Sequence, residues 1–200
     1  MTKRFFAADD LAGRDCYKLV SGLVVPRPIG WIGTRRQDGS FNLAPFSFFN
    51  VIAADPPTVV FSGGRHGPDR PKDSVALAEE TGEFTVNIVS EEVAEAMNLT
   101  SGAFDAHEDE FAIAGLTPVV GTKVSAPMVA EAPANLECRV VHVLEIGSKS
   151  KAVIGEVVAF HIRKDVLDGT RINNDVLRAI GRMAGSSYIH TRDRFELDRP

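Results

Sequence analysis

The spacing of apolar and polar residues along this chain predicts a protein built mainly from short β-strands. Runs rich in apolar, β-branched and aromatic residues are bounded by turn-forming residues, which is typical of strands. The predicted strands are residues 29–34, a stretch that begins at residue 41, and residues 58–62, 83–89, 134–146 and 152–162. The last two flank a Gly-Ser-Lys-Ser turn at residues 147–150 and are predicted to form a hairpin.

Helical spacing predicts short helices at residues 9–23, 73–81, 91–99 and 174–183. We expect Asp9 or Asp10 to cap the first helix, and Asp73 or Ser74 to cap the second, because short polar side chains accept hydrogen bonds from the free amides of a helix start. The strands are short and several are joined by tight turns, so the pattern favours an antiparallel barrel over a doubly wound parallel sheet. No repeat and no clear boundary divides the chain, which predicts one domain over residues 1–200.

Composition supports a globular protein and excludes several classes of partner. With 44% hydrophobic residues the chain can bury a substantial core. A net charge of −5 gives no reason to expect binding to nucleic acid or to anionic membranes. No apolar run approaches the roughly 20 residues that span a bilayer, and residues 1–10 lack the apolar core of a secretory signal. The isolated Cys16 and Cys138 are predicted to be reduced thiols in a cytoplasmic protein.

The sequence lacks most motifs that mark a catalytic or nucleotide-binding site. None of the five histidines forms an HExxH or HxxxH pair, so a metal site is not predicted. Neither GxGxxG nor GxxxxGK[ST] is present, and there is no GxSxG motif for a serine nucleophile. The remaining signals point to an aromatic ligand that carries a phosphate.

Two strand segments have the composition of a wall for a planar ring. They read RPIGWIGT at residues 27–34 and NLAPFSFFN at residues 42–50. A heteroaromatic ring needs an apolar surface with a rim of polar groups, and Asn42, Ser47, Asn50 and the backbone around Ala44 are candidates for that rim. The alternative interpretation is that these segments are only two core strands of the barrel.

Two further segments suit the remainder of such a ligand. Arg65, Arg70 and Lys72 precede the predicted helix start, where cationic side chains and free amides together suit a phosphate. Asp73 is expected to cap the helix or to hold a basic side chain. Residues 181–188 read GRMAGSSY. The alternatives are a solvated loop for the first segment, and a helix end with a flexible tail for the second.

Taken together, these segments resemble the flavin reductase-like family of FMN-binding split barrels, and particularly its flavoredoxin-like branch and the reductase components of two-component monooxygenases. The resemblance covers about residues 15–190. Its pieces occur in the expected order: RPIGWIGT, NLAPFSFFN, DPP at residue 55, KDS at residue 72, the strand after residue 82, DEF and AGL at residues 109–116, ECRV at residue 137, GEVVAFHI at residue 155 and GRMAGSSY.

The resemblance implies a homodimer of six-stranded Greek-key barrels with flanking helices and with FMN at or near the subunit interface. It places the flavin ring against residues 32–34 and 42–50, and the phosphate near Ser62, Arg65 and KDS. The expected cofactor-binding residues are Gly33, Thr34, Asn42, Ala44, Pro45, Phe46, Ser47, Asn50, Ser62, Arg65, Lys72, Asp73, Ser74 and Arg182. The sequence departs from the family pattern at Ser74, where threonine is usual, and at Gly33, where serine is common.

The function that this resemblance implies is an FMN-dependent oxidoreductase. The leading hypothesis is an NAD(P)H:flavin reductase that supplies reduced flavin to a partner such as a monooxygenase. His161 is the candidate catalytic residue, facing the nicotinamide, and its alternative role is structural. Two other functions stay open: a flavoredoxin-type electron carrier that meets a protein donor, and a non-catalytic flavin-binding module.

Overall fold

The computed structural model describes residues 1–66, 70–105 and 107–198, with the backbone alone for residues 65, 66, 70 and 71. Its centre is one antiparallel sheet. In chain order the strands are β1 (Gly30–Arg35), β2 (Phe41–Phe46), β3 (Phe49–Ala54), β4 (Pro57–Gly63), β5 (Glu83–Ile88), β6 (Ala134–Ile146) and β7 (Ser150–Ile162). Within the sheet they lie in the order β2-β1-β5-β6-β7-β4-β3. The predicted hairpin of β6 and β7 is confirmed: the two strands pair from Ala134 with Ile162 to Ile146 with Ser150.

The connection between the two edge strands requires the sheet to curl into a barrel. In a flat sheet of seven strands, β2 and β3 would lie about 29 Å apart, from six gaps of about 4.8 Å. The chain from Phe46 to Phe49 spans at most about 11 Å. The amide of Ser62 on β4 donates to the Phe48 carbonyl at 2.8 Å and holds this corner. The split barrel is therefore confirmed, with a seventh strand because residues 41–50 divide into two.

Aromatic side chains fill the interior of the barrel. The ring of Phe61 lies 5.1 Å from both the Phe46 and the Phe84 rings, and Ile32, Val86 and Val153 pack around them. A second cluster, which includes Trp31, Leu43, Met97 and Phe111, lies outside the barrel wall. Outward-facing side chains of β1 and β2 thus pack under the short helices, so both faces of these strands are buried.

Five helices flank the sheet: α1 (Gly13–Leu23), α2 (Asp73–Thr81), α3 (Ala94–Leu99), α4 (Glu110–Ile113) and α5 (Asn174–Leu177). The predicted caps of the first two are wrong. Asp9 and Asp10 belong to a separate 3₁₀-turn, Ala8–Asp10, because residues 11 and 12 are extended before α1 begins. The residue that precedes α2 is Lys72, so Asp73 and Ser74 already belong to the helix.

The last predicted helix is also shorter than expected. Arg178 adopts a left-handed conformation with φ of 47°, which ends α5. The chain then forms the C-terminal hairpin, the strands Ile180–Arg182 and Tyr188–His190. The other short paired strands are Arg65–His66 with Arg70–Pro71, Pro118–Val120 with Pro127–Val129, and Leu167–Asp168 with Arg171–Ile172. Two further 3₁₀-turns are Glu91–Val93 and Lys164–Val166.

None of the helices within the described residues has the length and apolar character needed to cross a membrane. Over the same part of the chain, no group of three or more His, Cys, Asp or Glu side chains is arranged to hold a metal ion.

Candidate functional site

A cavity of about 390 Å³ opens where the corner between β2 and β3 meets the end of β4, helix α3 and the C-terminal hairpin. Its walls combine aromatic and aliphatic side chains with hydroxyls, glycine backbone and two cations. The residues that line it are Tyr17, Ile29, Pro45, Phe46, Ser47, Phe48, Ser62, Gly63, Gly64, Lys72, Met97, Asn98, Ser101, Arg182 and Tyr188. This composition is that of a site for a flat, partly apolar molecule with charged substituents.

A smaller cavity of about 90 Å³ adjoins it and shares Pro45, Phe46, Lys72 and Ser101 as common walls. Its other walls come from β2, the start of α2 and the loop after α3. They are Asn42, Ala44, Asp73, Ser74, Thr100, Gly102, Phe104 and Glu110. The two spaces therefore form one site with a wide end and a narrow polar end, and Lys72 stands between them.

Lys72 is the cation of the narrow end. Its side chain is half-buried, and its ammonium lies 5.1 Å from the centre of the Phe46 ring. Burial lowers the pKa of Lys72 below its usual value. Among the described residues no carboxylate forms an ion pair with it. An anion in the cavity would supply the missing counter-charge, and the first amides of α2 would add donors.

Asn42 fixes the start of α2 onto β2. Its side-chain amide lies 2.8 Å from the Ser74 hydroxyl and 3.3 Å from the Thr34 hydroxyl. In its favoured orientation the amide oxygen faces these hydroxyls and the nitrogen donates to Glu110 Oε1 at 3.3 Å. Glu110 also accepts from the Leu43 amide, and burial raises the pKa of this carboxyl. Asn42 and Thr34 are almost fully buried, so their contacts fix the position of Ser74 at the start of α2.

Gly33 and Thr34 do not line either cavity. A side chain on Gly33 would collide with the Pro127 carbonyl oxygen and the Thr85 hydroxyl. Thr85 itself donates a short hydrogen bond to Pro127. Close packing of β1 against the strand Pro127–Val129 thus explains why this chain has glycine where the resembling family commonly has serine.

Two other predicted residues, Asn50 and His161, line neither the larger nor the smaller cavity. Asn50 is exposed on β3, where its side-chain oxygen accepts from the Val51 amide at 2.9 Å. His161 lies on β7, and its Nε2 is 2.5 Å from Glu137 Oε1. The side chain of Arg65 lies outside the described part of the structure. The expected set that does line the cavities is Asn42, Ala44, Pro45, Phe46, Ser47, Ser62, Lys72, Asp73, Ser74 and Arg182.

The partner of His161 anchors a loop on the far side of the sheet. Glu137 is fully buried and accepts from the Thr122 hydroxyl at 2.7 Å and from the amides of Lys123 and Val124 at 2.6 and 2.8 Å. Burial by itself would raise the pKa of Glu137, but the hydrogen bonds with His161, Thr122 and the loop backbone lower it to about 2. This network gives His161 a structural partner and favours its structural interpretation.

The sequence analysis missed Arg27, which joins the end of α1, the C-terminal hairpin and Ser47 in the wall of the larger cavity. Its buried guanidinium donates to the Val24 carbonyl at 2.9 Å, to the Met183 carbonyl at 3.1 Å and to the Ser47 hydroxyl at 3.3 Å. Backbone hydrogen bonds also run in both directions between Arg27 and Arg182. The only sequence signal was an arginine beside prolines in the RPIGWIGT segment, which does not reveal partners 20 and 156 residues away.

Trp31 plays a similar supporting role. Its indole nitrogen donates to the Thr100 hydroxyl at 2.9 Å, and both side chains are buried. Thr100 lines the smaller cavity and is followed by Ser101, which lines both. The tryptophan thereby fixes the loop that closes the narrow end of the site.

Comparison with known proteins shows the family to which these segments belong. A family model described as the flavin reductase like domain matches residues 22–182. The chain belongs to the flavin reductase-like family. That match spans β1 through Arg182 and therefore includes nearly all walls of both cavities.

Similar proteins cover the flavin reductase-like chain from end to end. The uncharacterized protein BH2278 of Halalkalibacterium halodurans is 39% identical over 197 residues, which is 96% of this chain and 94% of that protein. The crystal structure of nitrilotriacetate monooxygenase component B from Bacillus cereus has a TM-score of 0.95 at 33% identity, covering 98% of this chain and 100% of that one. The 2-nitrobenzoate 2-nitroreductase NbaA of Pseudomonas fluorescens has a TM-score of 0.90 at 31% identity, covering 98% and 96%.

Proposed function

We propose that this protein binds FMN in the two joined cavities and works as an FMN-dependent oxidoreductase. The observation that carries the proposal is the half-buried Lys72, which has no ion pair within the described residues and stands between a wide end with aromatic and polar walls and a narrow polar end. Membership of the flavin reductase-like family supports the choice of flavin among ligands with an aromatic ring and a phosphate.

The residues present fit FMN in size and chemistry. A volume of about 390 Å³ for the larger cavity is within the range of small-molecule sites, about 300–1,000 Å³. Pro45 and Phe46 offer an apolar wall for the ring. At Gly63 a side chain would meet Val75 and Phe46 within 2.9 Å, so only glycine lets the backbone of this wall pack so closely against them. Glu110 and Asp73 line only the smaller cavity, so a phosphate that avoids these carboxylates would lie beside Lys72 and residues 62–64 in the larger one.

Bound FMN would supply a ring that accepts a hydride from NAD(P)H and passes electrons to an acceptor. The chain's own contribution is to bind and orient. Arg27 holds the Ser47 hydroxyl in the cavity wall, and Trp31 fixes the loop of Thr100 and Ser101. Backbone amides along the wall are suited to stabilise negative charge on a reduced ring. No side chain of the protein is required as a general acid or base.

An FMN titration followed by reduction tests this proposal. We expect quenching of FMN fluorescence that saturates near one flavin per chain. FAD should bind more weakly, because the sequence has no motif for binding its adenine. NADH or NADPH should then bleach the bound flavin under anaerobic conditions. Absence of FMN binding contradicts the proposal itself. Binding without reduction by either nucleotide would leave a flavoredoxin-type carrier, or a flavin-binding module if no protein donor reduces it.

The acceptor separates two versions of the activity. The similarity to nitrilotriacetate monooxygenase component B supports a reductase that releases reduced flavin to a partner monooxygenase. The similarity to a nitroreductase supports reduction of a nitroaromatic compound at the site. NADH oxidation that saturates with added free FMN favours the first version. Oxidation that needs a nitroaromatic acceptor and no added FMN favours the second.

A homodimer is part of the same proposal. Helix α1 and strand β3 expose adjoining apolar side chains: Tyr17, Leu19, Val20, Leu23 and Val24 on the helix, and Phe48, Val51 and Ile52 beside it. The Tyr17 and Phe48 rings lie 6.4 Å apart, and both line the larger cavity. A second copy on this face would bury the apolar surface and enclose the wide end of the site.

A further inference from the structure

The C-terminal hairpin brings a second cation to the wide end of the site. Arg182 and Tyr188 face each other across the two strands, and the guanidinium carbon lies 4.5 Å from the centre of the tyrosine ring. The Tyr188 hydroxyl donates to Asn98 Oδ1 at 3.2 Å, and the guanidinium donates a short hydrogen bond to the Gly185 carbonyl. All three side chains line the larger cavity. The arginine is therefore held against one wall before any ligand arrives.

No carboxylate within the described residues pairs with this guanidinium, whereas three other arginines of the C-terminal part do have carboxylate partners. Arg163 pairs with Glu92 and Asp165, and Arg192 pairs with Glu91. Arg194 pairs with Asp175. An arginine that lines a cavity without a carboxylate partner leaves its outward N–H groups available for an anionic ligand.

FMN does not account for both cations. It carries one phosphate, and Lys72 stands with residues 62–64 and the start of α2 at the other part of the cavity. Arg182 belongs to a different wall, which the C-terminal hairpin and α3 form with Met97 and Asn98. A second substrate that entered the larger cavity beside FMN would therefore meet Arg182 without competing for the phosphate site at Lys72.

We propose that Arg182 recognises the anionic group of that second substrate, an aromatic molecule such as a nicotinamide dinucleotide with its pyrophosphate or an aromatic carboxylic acid. This inference rests on the proposed function, since it assumes that FMN occupies the site. It assigns Arg182 to substrate specificity and leaves the FMN phosphate to Lys72. Tyr188 is a positioning residue, because it touches the guanidinium and orients it.

The test compares Arg182→Gln and Arg182→Lys with the wild type, and uses Arg171→Gln as the charge-matched control. Arg171 is exposed on another hairpin. Loss of a charge-assisted hydrogen bond corresponds to roughly a 10- to 100-fold weaker interaction. We expect the KM for NADH to rise by that factor in Arg182→Gln, less in Arg182→Lys, and not in Arg171→Gln. The ratio of the Kd values for FMN and riboflavin should stay within about twofold of the wild-type ratio in all of them, because Lys72 holds the phosphate.

Neutral analogues identify the group that the arginine contacts. Reduced nicotinamide riboside lacks phosphate, so its rate of flavin reduction should be the same in wild type and Arg182→Gln. Benzoate and benzamide, tested as inhibitors, form the second arm. A higher KM for NADH with an unchanged rate for reduced nicotinamide riboside indicates contact with the pyrophosphate. Weaker inhibition by benzoate with unchanged inhibition by benzamide indicates contact with a carboxylic acid. Either result supports the proposal.

Three results would overturn the assignment. One is an unchanged KM for NADH together with unchanged inhibition by benzoate. Another is an equal loss for NADH and reduced nicotinamide riboside, which would indicate a distorted cavity. The last is weaker binding of FMN with unchanged binding of riboflavin, which would give Arg182 to the flavin phosphate. Absence of FMN binding in the wild type would instead contradict the proposed function, so the two failures are distinguishable.

Discussion

At the scale of single residues, the site depends on two cations, Lys72 and Arg182, that pair with no carboxylate in the described part of the chain. Lys72 is half-buried and its pKa is lowered by burial, which means that the surroundings favour its neutral form. A charged lysine in this place costs stability as long as no anion is bound. A bound phosphate stabilises the charged form of Lys72 through a charge-assisted hydrogen bond and thereby offsets the cost of burying the charge.

Lys72→Met should therefore change affinity and stability in opposite directions. It should weaken FMN by about one to two orders of magnitude, from the loss of roughly 1.5–3 kcal/mol. Riboflavin has no phosphate, so its affinity should hardly change. The flavin-free variant should unfold at a higher temperature than the wild type, since methionine keeps the stem against Phe46 without the desolvated charge. Fluorescence titrations with both flavins and thermal unfolding of the apoprotein measure these effects. An equal loss for both flavins would place the phosphate elsewhere.

The sequence was informative about residues whose role follows from local chemistry. A basic side chain before a helix start predicted Lys72 as a cavity cation, and the NLAPFSFFN composition predicted Pro45, Phe46 and Ser47 as wall residues; all of them line the cavity. Asn42, a candidate for the polar rim, lines the smaller cavity and is almost fully buried beneath α2. Its environment depends on Ser74, which is 32 residues away, and no local pattern encodes such a pairing.

At the scale of elements, the loop between α4 and β6 gives the clearest case of structure that depends on distant contacts. Its sequence indicated no regular element, yet Pro118–Val120 and Pro127–Val129 pair within it. Glu137 on β6 holds the turn through Thr122, Lys123 and Val124. The apolar pattern that predicts this strand does not show that its polar residue Glu137 is buried under a loop 13 to 15 residues away.

Glu137→Gln should destabilise the fold and remove part of its acid sensitivity. The pKa of Glu137 is lowered to about 2 from an ordinary value of 4.5, so its stabilising effect is complete above the unfolded value and is lost as the pH falls towards 2. Replacing a fully buried acceptor of several hydrogen bonds should cost roughly 1.5–3 kcal/mol at neutral pH. Urea unfolding at pH 7 and at intervals down to pH 3 measures both effects. The variant should show a shallower decline of stability in acid; a parallel decline would mean that other carboxylates dominate.

At the scale of the whole molecule, barrel closure brings the pieces of the site together. Only because the corner at residues 47 and 48 joins the two edges of the sheet do β2, β4 and α1 meet at one cavity. The sequence predicted the barrel class from short strands and tight turns. It did not predict where the extended stretch from residue 41 to residue 50 breaks, because the composition on both sides of the break is equally apolar.

The same corner leaves the apolar face of α1 and β3 uncovered, and a second copy is the expected occupant. Val20 and Ile52 are each more than half exposed, at 53% and 52%, so glutamate at both positions should be tolerated by the monomer fold. In a dimer these charges would be buried without partners, which is strongly unfavourable. Light scattering should give a dimer mass for the wild type and a monomer mass for Val20→Glu/Ile52→Glu. Val119→Glu, at an exposed valine on another hairpin, should remain dimeric. FMN should also bind the double variant more weakly, because Tyr17 and Phe48 border the cavity from this face. A wild-type monomer that binds FMN at full affinity would show that one chain completes the site alone.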